Sequence, residues 1–316
     1  MAKKIDAASR SIDPVDPTPP GERRPAGTGR AQRRGRQYVP QHDDVPDYQE
    51  LTGLSATLFR RIYDLMLPTL EQGRASAKGR SARYIKRSWT PMTRLLMVLH
   101  FIRHNASMRS ISEMFGGSSS SVSREIWDLV PRLYVRLLDV IRFPDEPPPA
   151  HFYDANAAID CTSHLRYRVH PWSAEWYRGD VGEHFVTAQL VCGLDGQMFD
   201  VQLGQGHNND NAKGMYTSTD TETRLADAGI VVLADDGYTT SDRVVTAHSV
   251  PTEGHLRLRH AQLRSVVEHN FALVHMFKTA GGIFRASPEL QEMVLMIVYA
   301  LVYLKCEEHP LRTNLQ

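Results

Sequence analysis

Cysteine is scarce in this sequence. Cys161, Cys192 and Cys306 are far apart and form no CxxC pair. That excludes a disulfide framework and a cysteine zinc site, and it fits a reducing compartment. No apolar signal segment opens the sequence. The longest apolar run, Met293 to Leu304, is short for a membrane span, so no membrane partner is expected. The histidines lack HExxH spacing, which sets a zinc hydrolase aside. Charge of one sign is also missing: the net charge is +1 over 316 residues. With 41% hydrophobic residues, a sizeable core can form in two domains or one large one.

What basic charge there is lies in clusters. Residues 1–40 hold nine Lys/Arg against four Asp/Glu. Residues 74–87, "RASAKGRSARYIKR", hold six basic residues, among them Arg80, Arg83, Lys86 and Arg87, and no acid. Each cluster is either a solvated tail or loop, or a contact for a phosphate backbone or an import receptor. Residues 1 to about 45 have almost no core-forming side chains, and disorder is expected there.

From Leu54 the pattern is helical, with Leu54, Leu58, Phe59, Ile62 and Leu65 on one face and Ser55 as a cap. A second helix is expected from about Pro91 to His104. The stretch "MRSISEMFGGSSSSVSREIWDLV" reads as a helix over Met108–Phe115, a turn at Gly116 and Gly117, and a helix from about Ser119 to Val130. Ile111, Met114, Val122 and Ile126 would close a small core. This is the spacing of a helix-turn-helix whose second helix enters a major groove, and equally that of an ordinary helical hairpin. On the outer face, Ser120, Ser121, Ser123 and Arg124 suit phosphate and base-edge contacts.

"PDEPPPA" reads as a linker, and after it the period changes. "AAIDCTSH", "LRYRVH", "HFVTAQLVCGL" and "MFDVQLG" read as short strands. A polar loop follows over 206–214, then a helical piece around Ser218–Ala228 and the strand "IVVLADD". "LRSVVEHNFALVHMFK", residues 263–278, reads as a helix. "SPEL" starts another, with Ser287 as N-cap and Pro288 at its first position. The sum is an α/β sheet flanked by helices.

Two of the strands end in acids. "AAID" ends at Asp160; "IVVLADD" ends at Asp235 and Asp236, where Asp and Gly also make good turn chemistry. Neighbouring strands would set Asp160 and Asp235 side by side, a repulsive pair unless a cation lies between them. Glu268 stands among Val266, Val267 and Phe271, an unusual place for an acid. Three hard oxygen donors suit Mg²⁺ or Mn²⁺, and a two-ion arrangement suits phosphodiester chemistry. Asp210, in "GHNND", is either a fourth acid at such a site or a turn residue. His184 and His207 are either phosphate contacts or structural histidines. Arg264 either binds phosphate or pairs with Glu268 one turn away.

"AIDCTSH", "WYRGD", "HFVTAQLV", "LDG", "GHNND", "LADDGY" and "RSVVEHNF" occur in the order found in PIF/Harbinger-like DDE transposases, relatives of bacterial insertion-sequence transposases. The chain resembles that family over roughly residues 50–305, the helix-turn-helix included. The resemblance implies an RNase H-like catalytic domain and cut-and-paste DNA transposition. It puts the catalytic and metal-binding triad on Asp160, Asp235 and Glu268, with Asp236 in the variable place of the Ala-Asp-any-Gly-Tyr pattern. Many relatives have a Lys seven positions after the Glu; here that place is His275, with Lys278 a turn further on as the phosphate-contact candidate. "YRGDVGEH" is acidic where many bacterial relatives are Lys-rich. Its RGD carries no adhesion reading without a secretion signal.

The expected layout is therefore a basic tail over 1–48, a helical DNA-binding domain over 49–143, a linker over 144–151 and an RNase H-like domain over 152–316. Expected partners are double-stranded DNA, both element ends and target, and further copies of the chain. A separate DNA-binding protein is required by some Harbinger-type enzymes. Expected cofactors are two Mg²⁺ or Mn²⁺ ions. The expected compartment is the nucleus, or the bacterial cytoplasm for a prokaryotic source. Two competing functions remain: a domesticated or inactive transposase that only binds DNA, and a metal-dependent nuclease without strand transfer.

Overall fold

The computed structural model describes residues 47–71, 89–168, 174–179, 181–206, 212–238 and 241–312. Five helices come first: α1 (Tyr48–Thr52), α2 (Ala56–Glu71), α3 (Pro91–His104), α4 (Met108–Phe115) and α5 (Ser119–Leu137). Strands and helices then mix: β1 (Ala157–Arg166), β2 (Tyr177–Arg178), β3 (Glu183–Gly193), β4 (Met198–Gln205), α6 (Ala212–Ser218), α7 (Thr221–Asp227), β5 (Val232–Leu233) and β6 (Val244–Val245). Three helices close the chain: α8 (Gly254–His275), α9 (Lys278–Gly281) and α10 (Pro288–Glu308).

The sheet is mixed. β1 and β3 pair antiparallel over ten residues, β4 continues antiparallel on β3, and β5 and β6 join β1 in parallel. Helices flank it, giving the α/β architecture of an RNase H-like domain. "AAIDCTSH" and "LRYRVH" are not two strands: β1 runs unbroken to Arg166, since no turn-forming residue separates His164 from Leu165.

Helix starts follow side-chain chemistry. Thr90, Ser107, Ser118 and Ser287 each accept a hydrogen bond from a first-turn amide, which satisfies one of the orphan donors there. Between α4 and α5 the chain turns through Gly116 and Gly117, both at positive φ. A Cβ on Gly117 would stand 2.6 Å from the Trp89 ring, so only glycine fits there. Phe115, fully buried, fills the space between these helices, while Met114 is 41% exposed rather than part of their core. Leu65 likewise points outward on α2.

One hydrophobic cluster runs from Leu54, Phe59 and Ile62 through Leu129 and Leu133 to Val294, Val298 and Leu301. α10 is apolar nearly all round, and such a helix needs cover on every side. α5 and α8 supply it. Polar contacts sew the same seam. Arg61 pairs with Glu307 at 2.8 Å, the Ser55 hydroxyl donates to Glu308 at 2.7 Å, and Lys305 Nζ donates to the Gly53 carbonyl at 2.9 Å. Inside the helical layer, Arg94 and Glu125 form a buried ion pair, and Arg94 also donates to the Leu70 carbonyl.

Candidate active site

β1 keeps β3 along its whole length, but β5 pairs only with Ala157 and Ala158. Beyond them that edge of β1 has no strand partner until Arg166 bridges to Phe284, and Asp160, the second residue past the β5 pairing, lies in this open stretch. Ala157, Ala158 and Ile159 are fully buried. Asp160 is the first residue of the strand with access to solvent, at 16% side-chain exposure. Its Oδ1 accepts the Cys161 amide at 2.8 Å and its Oδ2 accepts Arg264 Nη1 at 2.7 Å.

The strand before Asp235 is shorter than the run "IVVLADD" predicts, ending at Leu233. Asp235 begins a turn. Its Oδ1 accepts the Gly237 amide at 2.9 Å and its carbonyl accepts the Tyr238 amide at 3.2 Å. The residue is thus a turn former and a neighbour of Asp160 at once. Asp160 and Asp235 each lie two residues past the paired Ala158 and Leu233, and the Asp235 charge acts on Asp160. Asp236 is exposed and faces His248 Nε2 at 3.5 Å.

Glu268 comes from α8. This helix starts at Gly254, nine residues before the expected start, because its first turns are polar and basic and carry no apolar stripe. From Leu263 on, Val266, Val267, Phe271 and Val274 are buried against the core. The Asn270 amide donates to the Gly196 carbonyl at 3.1 Å, and His260 Nε2 meets the Val245 carbonyl at 3.1 Å, so α8 is fixed to the sheet at two levels. Glu268 stays on the open side, 54% exposed, and accepts Arg264 Nη2 at 2.9 Å.

Electrostatics tie the three acids together. Burial raises the Asp160 pKa; the Cys161 amide and Arg264 lower it, and the charges of Asp235 and Glu268 raise it again. Burial pushes the neighbouring Cys161 thiol up to about 12, which leaves it a protonated wall rather than a nucleophile. Tyr238 closes the floor. Its hydroxyl lies 3.4 Å from Cys161 Sγ, and burial raises its pKa well above the ordinary value.

The other expected contacts lie elsewhere. Ser120 and Arg124 are exposed on the first turns of α5, and Ser121 and Ser123 are half-buried. Lys278 is exposed but does not share a helix with Glu268, since α8 ends at His275 and Lys278 opens α9. His275 faces the buried His164 ring at 5.2 Å. His184 is buried on β3 beside the Tyr177 ring at 5.4 Å. Arg80, Arg83, Lys86, Arg87, His207 and Asp210 lie outside the described residues.

Residues 159–304 match the family model described as DDE superfamily endonuclease. Over this stretch the chain is similar to the DDE superfamily endonucleases. The match begins one residue before Asp160 and takes in Asp235 and Glu268. No curated protein and no solved structure matches the chain.

DDE endonucleases generally use divalent metal ions. The donor chemistry here fits such ions: three hard oxygen ligands on elements that converge. The site also already contains a cation between two of its acids, the Arg264 guanidinium. Among the described residues no group of three or more His, Cys, Asp or Glu is gathered closely enough to hold a metal. The Arg264–Glu268 pair is one of the two alternatives legible in the sequence. The Arg264–Asp160 contact spans 104 positions and leaves no local signal.

Proposed function

We propose that the chain is a metal-dependent DNA transposase of PIF/Harbinger type, which cuts phosphodiester bonds at the ends of a mobile element and joins the freed 3′-hydroxyl to target DNA. The observation that carries this reading is the arrangement of Asp160, Asp235 and Glu268 at the open edge of β1, inside the matched region.

Asp160, Asp235 and Glu268 would hold Mg²⁺ or Mn²⁺, two ions in all. What such ions supply when bound is activation of a water or 3′-hydroxyl and charge stabilisation of the leaving oxygen. The chain's own residues do the rest. The Cys161 and Gly237 amides orient one oxygen each of Asp160 and Asp235, while the other oxygen of Asp160 accepts Arg264. Buried Tyr238 keeps water from the underside of the site. Arg264 presents a planar fork that matches phosphodiester oxygens.

Duplex DNA is held, in this reading, by Ser120, Ser121, Ser123 and Arg124 at the start of α5, acting as a helix-turn-helix, with Lys278 and the basic segment 74–87 on the backbone. Paired ends call for more than one copy of the chain. The basic stretch 1–48 suits nuclear import.

The test is a plasmid carrying candidate element ends, incubated with the protein in Mg²⁺ and in Mn²⁺. Nicked and joined products, both lost in Asp160→Asn and Glu268→Gln, support the transposase. Nicks without joining make the chain a nuclease. Retained duplex binding with neither product makes it a DNA-binding derivative.

A further inference from the structure

We propose that Arg264 is a displaceable internal counter-ion. It holds Asp160 and Glu268 in the ion-free protein and passes to a DNA phosphate when a divalent ion takes its place. The inference rests on the metal-site reading above.

The guanidinium spends both terminal nitrogens on carboxylates, at 2.7 Å to Asp160 and 2.9 Å to Glu268. Among the described residues it makes no hydrogen bond to the main chain. Other arginines of this fold are anchored differently: Arg312 donates to the carbonyls of Leu263 and Gln262, and Arg103 to that of Met276. Arg264 is therefore held by the two acids, and whatever captures those acids releases it. A divalent ion competes for the same oxygens with twice the charge. Once released, the guanidinium keeps its place on α8 one turn from Glu268, where a scissile phosphate would lie. A phosphodiester offers the same pair of anionic oxygens that the carboxylates gave up. Ion binding and DNA binding then become linked through one side chain, each favouring the other.

This makes Arg264 a positioning residue with a readout separate from turnover. Mn²⁺ uptake by calorimetry is compared in wild type, Arg264→Gln and Arg264→Lys, with thermal melting as the check on folding. Gln should bind Mn²⁺ about tenfold more tightly than wild type. Lys keeps the charge but cannot bridge two carboxylates with one fork, so its affinity should fall between the two. A short DNA duplex of arbitrary sequence, at low salt, should tighten Mn²⁺ binding in wild type and leave the Gln variant unchanged.

Equal Mn²⁺ affinity in wild type and Gln overturns the proposal. So does a Lys variant that matches wild type while Gln binds tighter, because charge alone would then be the cause. A duplex effect of the same size in wild type and Gln refutes the transfer to phosphate. No Mn²⁺ uptake by any of the three, with or without duplex, removes the metal-site reading together with this one.

Discussion

Asn156 and Val231 grip each other through two hydrogen bonds. The Asn156 amide donates to the Val231 carbonyl at 3.0 Å, and the Val231 amide donates to Asn156 Oδ1 at 3.1 Å. The remaining side-chain nitrogen of Asn156 donates to the Pro148 carbonyl at 3.2 Å. This buried residue sits one position before β1 and fixes where β5 begins, and so the level at which Asp235 meets Asp160.

Asn156→Ala strips two side-chain hydrogen bonds from a buried spot and leaves the backbone bond to Val231 in place. The expected loss is roughly 1–3 kcal/mol of stability, read by urea denaturation. The variant should also bind Mn²⁺ more weakly than wild type, although Asn156 touches none of the three acids. Unchanged Mn²⁺ affinity would show that the register is set elsewhere.

Glu125→Ala leaves Arg94 buried without its ion-pair partner. Breaking a buried pair from one side costs about 3–5 kcal/mol. The double variant Arg94→Met/Glu125→Leu should recover most of it, since apolar side chains of similar size remove the orphaned charge. Denaturant midpoints of the three proteins decide the matter.

His164 gives the fold a pH dependence. It is fully buried, between the Ala280 carbonyl and the Tyr299 hydroxyl, each at 3.0 Å, and burial together with His275 lowers its pKa from 6.5 to about 4. A histidine with a depressed folded pKa resists protonation that the unfolded chain accepts. Its contribution is therefore whole above pH 6.5 and is lost as pH falls toward 4. By pH 5 the loss is roughly 2 kcal/mol. Unfolding free energies of wild type and His164→Gln, taken at pH 7.5 and pH 5, isolate this share from that of the carboxylates. The gap between the two proteins should narrow at the lower pH; a constant gap would contradict a neutral His164.

Arg124 is exposed on α5, with its Nε 3.2 Å from the Ser120 carbonyl. If it meets a phosphate, Arg124→Ala should weaken duplex binding for all sequences alike. The slope of log affinity against log salt should fall by about 1. Loss of preference among sequences, with the slope intact, would instead place Arg124 on a base edge.

Much of the fold could be read from local pattern. Alternation and apolar runs located β1, β3, β4 and β5 but not the two-residue β2 and β6, serine and proline marked helix starts, and the all-round apolar stretch at 293–304 announced a buried helix. Periodicity failed where burial did not shape composition. The first half of α8 is mostly exposed, so its helicity left no apolar stripe, and Leu65 and Met114 matched a stripe they do not occupy in space. At the site, each acid was visible beside its own strand or helix. The Arg264–Asp160 bond was not, because only the packing of α8 on β1 brings those residues together.

The shared core around α10 bears on any attempt to retarget this protein. The amino-terminal helices do more than stand before the region that matches the family model: α5 covers α10, the Thr279 hydroxyl donates to the Ile102 carbonyl at 2.7 Å, and the Asn105 side chain donates to the Ile283 carbonyl at 3.0 Å. Exchanging these helices for a foreign address module would lay bare the apolar flank of α10 and invite aggregation. An added module would have to be tethered outside an otherwise intact chain.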